Sequence, residues 1–214
     1  MIHLRPGPAD PASIGIVPAN EASWEDLQAI FGVRGYPAYC QCQLFKVGHA
    51  QWTAPTVAER MERLRAETHC GYPSARITSG LVAYLDGEPV GWCAVEPRTA
   101  YPRLPPARVA WSERGEERDD ASAWAVTCFV TPAGFRRRGL TRALVKAAVE
   151  FACERGARAI EGYPMITEPG QEVTWGETHV GTRNIFEAAG FTEVARATLR
   201  RVVMRIDFRE ERPR

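Results

Sequence analysis

The sequence predicts a mixed α/β fold, and three observations predict it. Two apolar runs, residues 80–85 and 89–95, are joined by Asp86-Gly87, a dipeptide typical of β-hairpin turns. An apolar run from Trp124 leads through a glycine-containing turn into a long amphipathic stretch, residues 140–155, as when a strand feeds a helix. Two more apolar runs close the chain. This order indicates helices packed on a mixed sheet, with one strand–helix–strand unit in the middle.

The first half of the chain is predicted to contain a strand and two helices ahead of the hairpin. Asn20 or Ser23 caps the first helix, because their side-chain oxygens accept hydrogen bonds from amides of the first turn. The second helix carries apolar residues at helical spacing. In order, these elements are a strand at 13–17, a helix at 24–31, an irregular stretch at 31–51 and a helix at 55–69.

The second half begins with a long linker that is rich in proline, arginine and glutamate. Gly190-Phe191 ends the last helix, since glycine commonly follows a helix C-terminus. The polar, proline-rich residues 1–12 are predicted to form a flexible arm ahead of a single domain, residues 13–214. The elements of this half are a linker at 97–122, a strand at 124–130, a helix at 140–155, a strand at 157–163, a helix at 181–189 and strands at 192–197 and 199–208.

The composition excludes several classes of protein. A formal net charge of +1 argues against a dedicated nucleic-acid binder, whose surface normally carries a clear basic excess. No apolar run is long enough to span a bilayer, and the N-terminus lacks a signal-peptide core. The six cysteines are scattered, which without a secretory signal indicates a reducing compartment. We therefore expect a cytoplasmic protein without nucleic-acid or membrane partners.

The segment Arg136-Arg137-Arg138-Gly139-Leu140-Thr141 opens the long helix and is the most informative stretch of the chain. The first amides of a helix have no intrahelical acceptor, and the helix dipole adds partial positive charge at the same end. An anion can therefore bind there on backbone N–H groups, and three neighbouring arginines strengthen the positive potential. The alternative, a surface helix with a basic start, would carry the wrong charge for its own dipole. We expect these six residues to bind a diphosphate.

Two motifs carry a resemblance to a known family. The order Arg-x-x-Gly-x-Thr after a strand resembles the acyl-CoA-binding motif of the GCN5-related N-acetyltransferases, with Thr141 in place of the usual glycine or alanine. Phe186-Glu-Ala-Ala-Gly-Phe191 is similar to a second motif of that family, in which a helix runs into the sheet at Gly-Phe. Other segments resemble a subgroup common in high-GC bacteria: Glu96-Pro97-Arg98, Tyr101 to Leu104, Cys128 to Val130, Glu161 to Pro164 and Cys40-x-Cys42.

The resemblance covers residues 13–208 and implies the fold of that family. This is a mixed, mostly antiparallel central sheet of about six to seven strands with a splayed central strand pair, flanked by about four helices. It also implies acetyl-CoA as cosubstrate and direct transfer of the acetyl group to a primary amine of a small molecule or a protein. The backbone of Cys128, Phe129 and Val130 would line the pantetheine arm. His179 stands where the family usually has an asparagine that contacts this arm.

The general base is predicted among two carboxylates. Glu96 and Glu161 each end an apolar strand, where burial would raise the carboxyl pKa toward a useful range. An alternative for either is an ion pair with an arginine such as Arg98 or Arg158. The tyrosine that often protonates the departing thiolate in this family corresponds here to Phe186, which has no proton to donate. Tyr163 is the predicted substitute, unless the thiolate leaves unassisted.

Four further points stay open at the level of sequence. Cys40-x-Cys42 with nearby histidines raises a zinc site, but the spacing of one residue is poor for zinc, so buried free thiols are favoured. The acceptor amine is not identified by any pattern, and a homodimer through the last strands is left open. A non-catalytic acyl-CoA sensor or interaction protein is the alternative to the enzyme, because Phe186 replaces the usual acid.

Overall fold

The computed structural model of the chain describes residues 14–111, 114–167 and 178–208. Within them, seven strands form one sheet in the order β1-β2-β3-β4-β5-β7-β6. Only the β4–β5 pair is parallel among these neighbours, so the sheet is mostly antiparallel as predicted. The strands are β1 Ile14–Pro18, β2 Leu81–Leu85, β3 Glu88–Pro97, β4 Ala123–Val130, β5 Ala159–Gly162, β6 Thr192–Thr198 and β7 Arg201–Asp207.

Six α-helices accompany the sheet in the part of the chain that the structure describes, two more than the sequence predicts. The extra helices are Gly35–Cys40, inside the stretch predicted to be irregular, and Arg108–Trp111, inside the predicted linker. The helices are α1 Trp24–Phe31, α2 Gly35–Cys40, α3 Val57–Thr68, α4 Arg108–Trp111, α5 Leu140–Glu154 and α6 Arg183–Glu187. Short 3-10 turns occupy Ala19–Glu21, His49–Gln51, Arg98–Ala100 and Ala133–Phe135.

Local signals in the sequence place the first helices and the hairpin. Ser23 is the cap of α1, because its Oγ accepts a hydrogen bond from the Asp26 amide at 3.0 Å. Asn20, the other predicted cap, instead donates to the carbonyls of Pro73 and Ala75. The hairpin turn has positive φ angles at both Asp86-Gly87 positions, 53° and 82°, as a two-residue turn of this kind requires.

The two faces of the sheet bury separate clusters. Helices α5 and α6 cover one face, where Leu144 and Phe186 are fully buried against residues of β2 to β5 and β7. Helices α1 and α3 cover part of the other face, with Leu27 and Leu64 in its core. The segment 101–111 covers the rest of this second face. The predicted N-terminal arm lies outside the described residues. Among those described, no helix combines the length and apolar character that crossing a bilayer needs.

Strand β4 is irregular where the predicted splay lies. Its parallel pairing with β5 ends at Val126 opposite Gly162, although β4 continues to Val130. On the other side, Ala94 faces Cys128 while Val95 faces Val126, so Thr127 is an extra residue, a β-bulge. Beyond this bulge β4 keeps its antiparallel partner β3 but has left β5, which confirms a splayed central pair.

Candidate active site

The turn that opens α5 has the backbone of an anion site. Arg137 and Gly139 both have positive φ angles, 63° and 85°, and no side chain caps the helix. Its first amides are therefore left to face a groove of about 430 Å³. The groove is lined by Thr131, Phe135, Arg136, Arg137, residues 139–142 and Ile185. Unbonded amides, the positive helix end and two exposed guanidinium groups fit a diphosphate.

A smaller groove of about 180 Å³ continues from this turn toward the splay. It shares Thr131, Arg136, Thr141 and Ile185 with the first groove and reaches Phe129. Arg138 takes a different direction from its neighbours, because its guanidinium lies over the Phe135 ring at 5.3 Å. The predicted diphosphate residues are thus together, with Arg138 turned to pack against a ring.

In β4, the strand predicted to line the pantetheine arm, one backbone amide is hydrogen-bonded to another part of the chain. The Phe129 amide donates a 2.6 Å hydrogen bond to the carbonyl of His179. That histidine is buried, and its ring lies 6.4 Å from the Phe45 ring. The Cys128 side chain packs in the cluster on the opposite face of the sheet. His179 therefore lies at the splay, and its main-chain carbonyl holds this part of β4.

Phe186 fills the region beside the splay. Its ring is fully buried and makes edge contacts with Phe129 and Phe191, at centroid distances of 6.2 and 5.0 Å. It also lies against Gly162 and Gly181, where a Cβ would meet the ring. The position to which the family resemblance would assign a tyrosine is here a core position.

Glu161 is the centre of a buried ion cluster. The side chain is 0% exposed, and its carboxylate accepts hydrogen bonds from Arg114 at 2.7 Å and Arg98 at 3.3 Å. Arg205 approaches at 3.5 Å. Of the two arginines suggested as partners, Arg98 pairs with Glu161. Arg158 pairs with Asp120 instead. Three guanidinium groups around one carboxylate tie the 97–122 segment to β5 and β7.

Tyr163 belongs to the same cluster. Its hydroxyl donates a 2.5 Å hydrogen bond to Glu161 Oε1. Burial, with the Glu161 charge next, holds the pKa of this hydroxyl well above its usual range. A buried hydroxyl that donates to a carboxylate keeps its proton in this bond.

Glu96 has a different environment. Its side chain is 14% exposed and forms an ion pair with Lys46, whose ammonium lies 4.9 Å from the centre of the Tyr101 ring. Burial, assisted by the Glu67 charge and opposed by Lys46 and the Tyr101 hydroxyl, raises the pKa of the Glu96 carboxyl to about 7. The carboxyl borders a cavity of about 730 Å³ that Glu67, Ile77, Pro97 and Trp124 help to line.

Lys46 and Tyr101 are the residues of this region that sequence reasoning missed. Tyr101 is fully buried beside Glu96 and the bulge residue Thr127. The sequence did hold one indication of Lys46, which is that lysine is rare in this chain. Only two of the 27 lysine and arginine residues are lysines. The other, Lys146, is exposed on α5.

The two cysteines of the early segment are free thiols, Cys40 buried and Cys42 half-buried. Trp92 Nε1 donates to Cys42 Sγ at 3.2 Å. Burial raises the pKa of the Cys40 thiol to about 12, and a thiol in that state is a poor metal ligand. Among the residues that the structure describes, no group of histidine, cysteine and carboxylate side chains is arranged to hold a metal ion.

Comparison with known proteins decides the family. The sequence model of the acetyltransferase (GNAT) family matches residues 44–164, which include the Glu96 strand, the splay and the turn before α5. The chain belongs to the GNAT family. It is an N-acetyltransferase with acetyl-CoA as its cosubstrate, as predicted.

Solved structures confirm the fold of this N-acetyltransferase. A GCN5-related N-acetyltransferase from Kribbella flavida aligns at a TM-score of 0.53 and 16% identity, covering 93% of this chain and 100% of that one. The yncA protein of Salmonella typhimurium, solved with acetyl-CoA, aligns at 0.51 and 15% identity, covering 93% and 96%. The aminoglycoside acetyltransferase AAC(6')-Ib, solved with coenzyme A and kanamycin, aligns at 0.50 and 18% identity, covering 91% and 95%. No curated protein matches the sequence.

Proposed function

We propose that this enzyme acetylates a primary amine and that Glu96 is its general base. One observation carries the proposal: a nearly buried carboxyl with a pKa of about 7 lies beside a cavity and close to the β4 bulge. An alkyl ammonium must lose a proton before its nitrogen can attack a carbonyl. A base whose pKa lies near the working pH does this most effectively.

The remaining chain groups position the cosubstrate in this proposal. The amides of residues 139–142 and the guanidinium groups of Arg136 and Arg137 would hold the diphosphate of coenzyme A. Leu140 and Thr141 contribute through the backbone. The groove from there to Phe129 would take the pantetheine arm. The bound thioester supplies an activated acetyl group, and holding the amine beside it accounts for much of the expected rate.

Glu161 and Tyr163 have structural roles in this proposal. Removing a proton from an amine needs a carboxylate with a free lone pair, and three arginines and one hydroxyl already surround the Glu161 oxygens. Tyr163 is committed to the same carboxylate. The departing thiolate is then protonated from water, which the modest basicity of a thiolate permits.

The test is the pH dependence of thiol release with a panel of amines. In the wild type, kcat/KM should rise with pH through an apparent pKa of about 7. Glu96→Gln should lower kcat by about 100-fold or more and remove this limb. Glu88→Gln, an exposed carboxylate on the same strand, is the matched control and should leave the profile unchanged. An unchanged profile in Glu96→Gln would contradict the assignment.

A further inference from the structure

Lysine is rare in this chain, and one lysine has an unusual position. The basic residues of the chain are almost all arginine, because only two of the 27 lysine and arginine residues are lysines. Arginine stays protonated in proteins, whereas a lysine can lose its proton and become a nucleophile. Lys46 has a side chain that is 10% exposed, while the other lysine, Lys146, is 77% exposed. The rare, deprotonatable cation therefore occurs at a nearly buried place.

Several contacts place Lys46 at the candidate active site. Its Nζ forms the ion pair with Glu96 and lies over the ring of Tyr101, which is beside the bulge residue Thr127. The preceding residue, Phe45, has its ring near His179, whose carbonyl binds the Phe129 amide. Residues 45 and 46 thus lie over the splay from the face opposite α5. The Lys46 amine therefore lies beside the proposed base and near the β4 bulge.

We propose that Lys46 is a self-acetylation site, the first acetyl acceptor of this enzyme. The proposal rests on the function proposed above, because it needs Glu96 as base and acetyl-CoA at the splay. Glu96 takes one proton from the Lys46 ammonium, and the neutral nitrogen bonds to the thioester carbonyl carbon. The carbon–sulfur bond breaks and the coenzyme A thiolate leaves. The nitrogen loses its second proton to water as it becomes an amide, and the thiolate takes a proton from water. The products are Nε-acetyl-Lys46 and free coenzyme A.

Acetylation of Lys46 would raise the pKa of the neighbouring Glu96 carboxyl. The amide nitrogen carries no charge, so the ion pair with Glu96 is lost. Burial and the Glu67 charge, which favour the neutral carboxyl, are then opposed by the Tyr101 hydrogen bond but no longer by Lys46. Glu67 itself is held by the Gln43 side chain at 2.9 Å. The pKa of Glu96 should rise, and its oxygens become accessible to an external amine.

The experiment uses the full chain with acetyl-CoA and no added amine. Intact-mass measurement and peptide mapping should find one acetyl group on Lys46 and none on Lys146, which serves as the internal control for non-enzymatic acetylation. The rate per molecule should not change over a 100-fold dilution, because the step is intramolecular. Lys46→Arg, which keeps the charge opposite Glu96, should abolish it. Glu96→Gln should slow it by roughly 100-fold.

A second readout does not depend on turnover. Lys46→Gln resembles the acetylated state in charge, so the Glu96 titration, followed by NMR in protein without cosubstrate, should move to higher pH than in Lys46→Arg. Acetyl-CoA binding measured by calorimetry verifies that each variant is folded and binds.

Each outcome is decisive. Acetyl groups on both lysines at equal rates, or an unmodified Lys46 in enzyme that acetylates the amine panel, would overturn the self-acetylation proposal while the function stands. An enzyme that binds acetyl-CoA but acetylates neither Lys46 nor any amine would overturn both.

Discussion

The ring of Phe186 on α6 lies directly over Gly162, the last residue of β5. A Cβ at position 162 would come within 2.6 Å of Phe186 Cζ. Because the backbone of β5 is fixed by pairing with β4 and β7, the glycine is what allows the ring to pack at the end of this strand. The ring is thereby held between β5 and Phe129 of β4, at the point where the two strands separate.

Gly162→Ala should destabilise the protein by about 1–3 kcal/mol, the usual cost of overpacking a well-filled core. Denaturant unfolding measures the change. Gly15→Ala in β1, where a Cβ meets no atom within 4 Å, is the control and should change stability far less. Phe186→Leu should recover part of the loss in a double variant. Equal effects at positions 15 and 162 would contradict this account.

The ion cluster around Glu161 gives a second prediction. Glu161→Gln leaves Arg98 and Arg114 buried beside a neutral group, and breaking such a buried pair typically costs about 3–5 kcal/mol. We expect this loss in the free energy of unfolding, with the pH midpoint of the residual activity unchanged.

The matched control is Glu187→Gln, which removes an exposed pair with Arg183 and should cost less than about 1 kcal/mol. If Glu161→Gln were as stable as wild type but lost the rising limb of the pH profile, Glu161 rather than Glu96 would be the base.

The turn before α5 gives a third prediction. Replacing Arg136 and Arg137 with glutamine should raise the KM for acetyl-CoA by roughly 100-fold or more, because hydrogen bonds to charged groups contribute about 1.5–3 kcal/mol each. The salt dependence of KM should also weaken, since fewer charges face the ligand. Arg158→Gln, an exposed arginine paired with Asp120 in the loop before β4, is the control. Unchanged binding in the double variant would remove this turn from the cosubstrate site.

Local features of this molecule could be predicted because they depend on neighbours in the sequence. Ser23 caps α1 through an amide three residues away, and Asp86-Gly87 close a hairpin between adjacent strands. The turn at Gly139 follows the same rule, since a left-handed residue before a helix favours glycine. Helix α2 was missed because Gly35 and Pro37 are poor helix formers.

Contacts between distant segments could not be predicted in this way. Glu96 meets Lys46 and Glu161 meets Arg114 because the segments 41–47 and 98–111, the latter together with Arg114, lie over the same face of the sheet. Both glutamates end apolar strands, so their sequence contexts are alike. Their different chemistry arises from what covers them: one lysine beside a cavity in the first case, three arginines in the second.

The raised pKa of Glu96 makes the stability of the folded protein depend on pH. The pKa of Glu96 is about 7 in the folded protein against 4.5 for an unperturbed carboxyl. The folded state therefore binds more protons than the unfolded state between these values, and its stability should fall as pH rises through this window. The favourable contribution is complete below about pH 4.5 and lost above about pH 7.

The glutamine side chain in Glu96→Gln cannot titrate, so this variant does not lose stability for this reason as the pH rises. The difference in unfolding free energy between the variant and the wild type should move in favour of the variant by up to about 3 kcal/mol from pH 5 to pH 8. The test is how this free-energy difference changes with pH. In the variant Lys46 has lost its partner, but this changes the difference by a constant amount while the Lys46 ammonium stays charged. Urea unfolding at several pH values measures it, with Glu88→Gln as control. Parallel curves for Glu96→Gln and wild type would mean that Glu96 is ionised throughout this range and has no raised pKa.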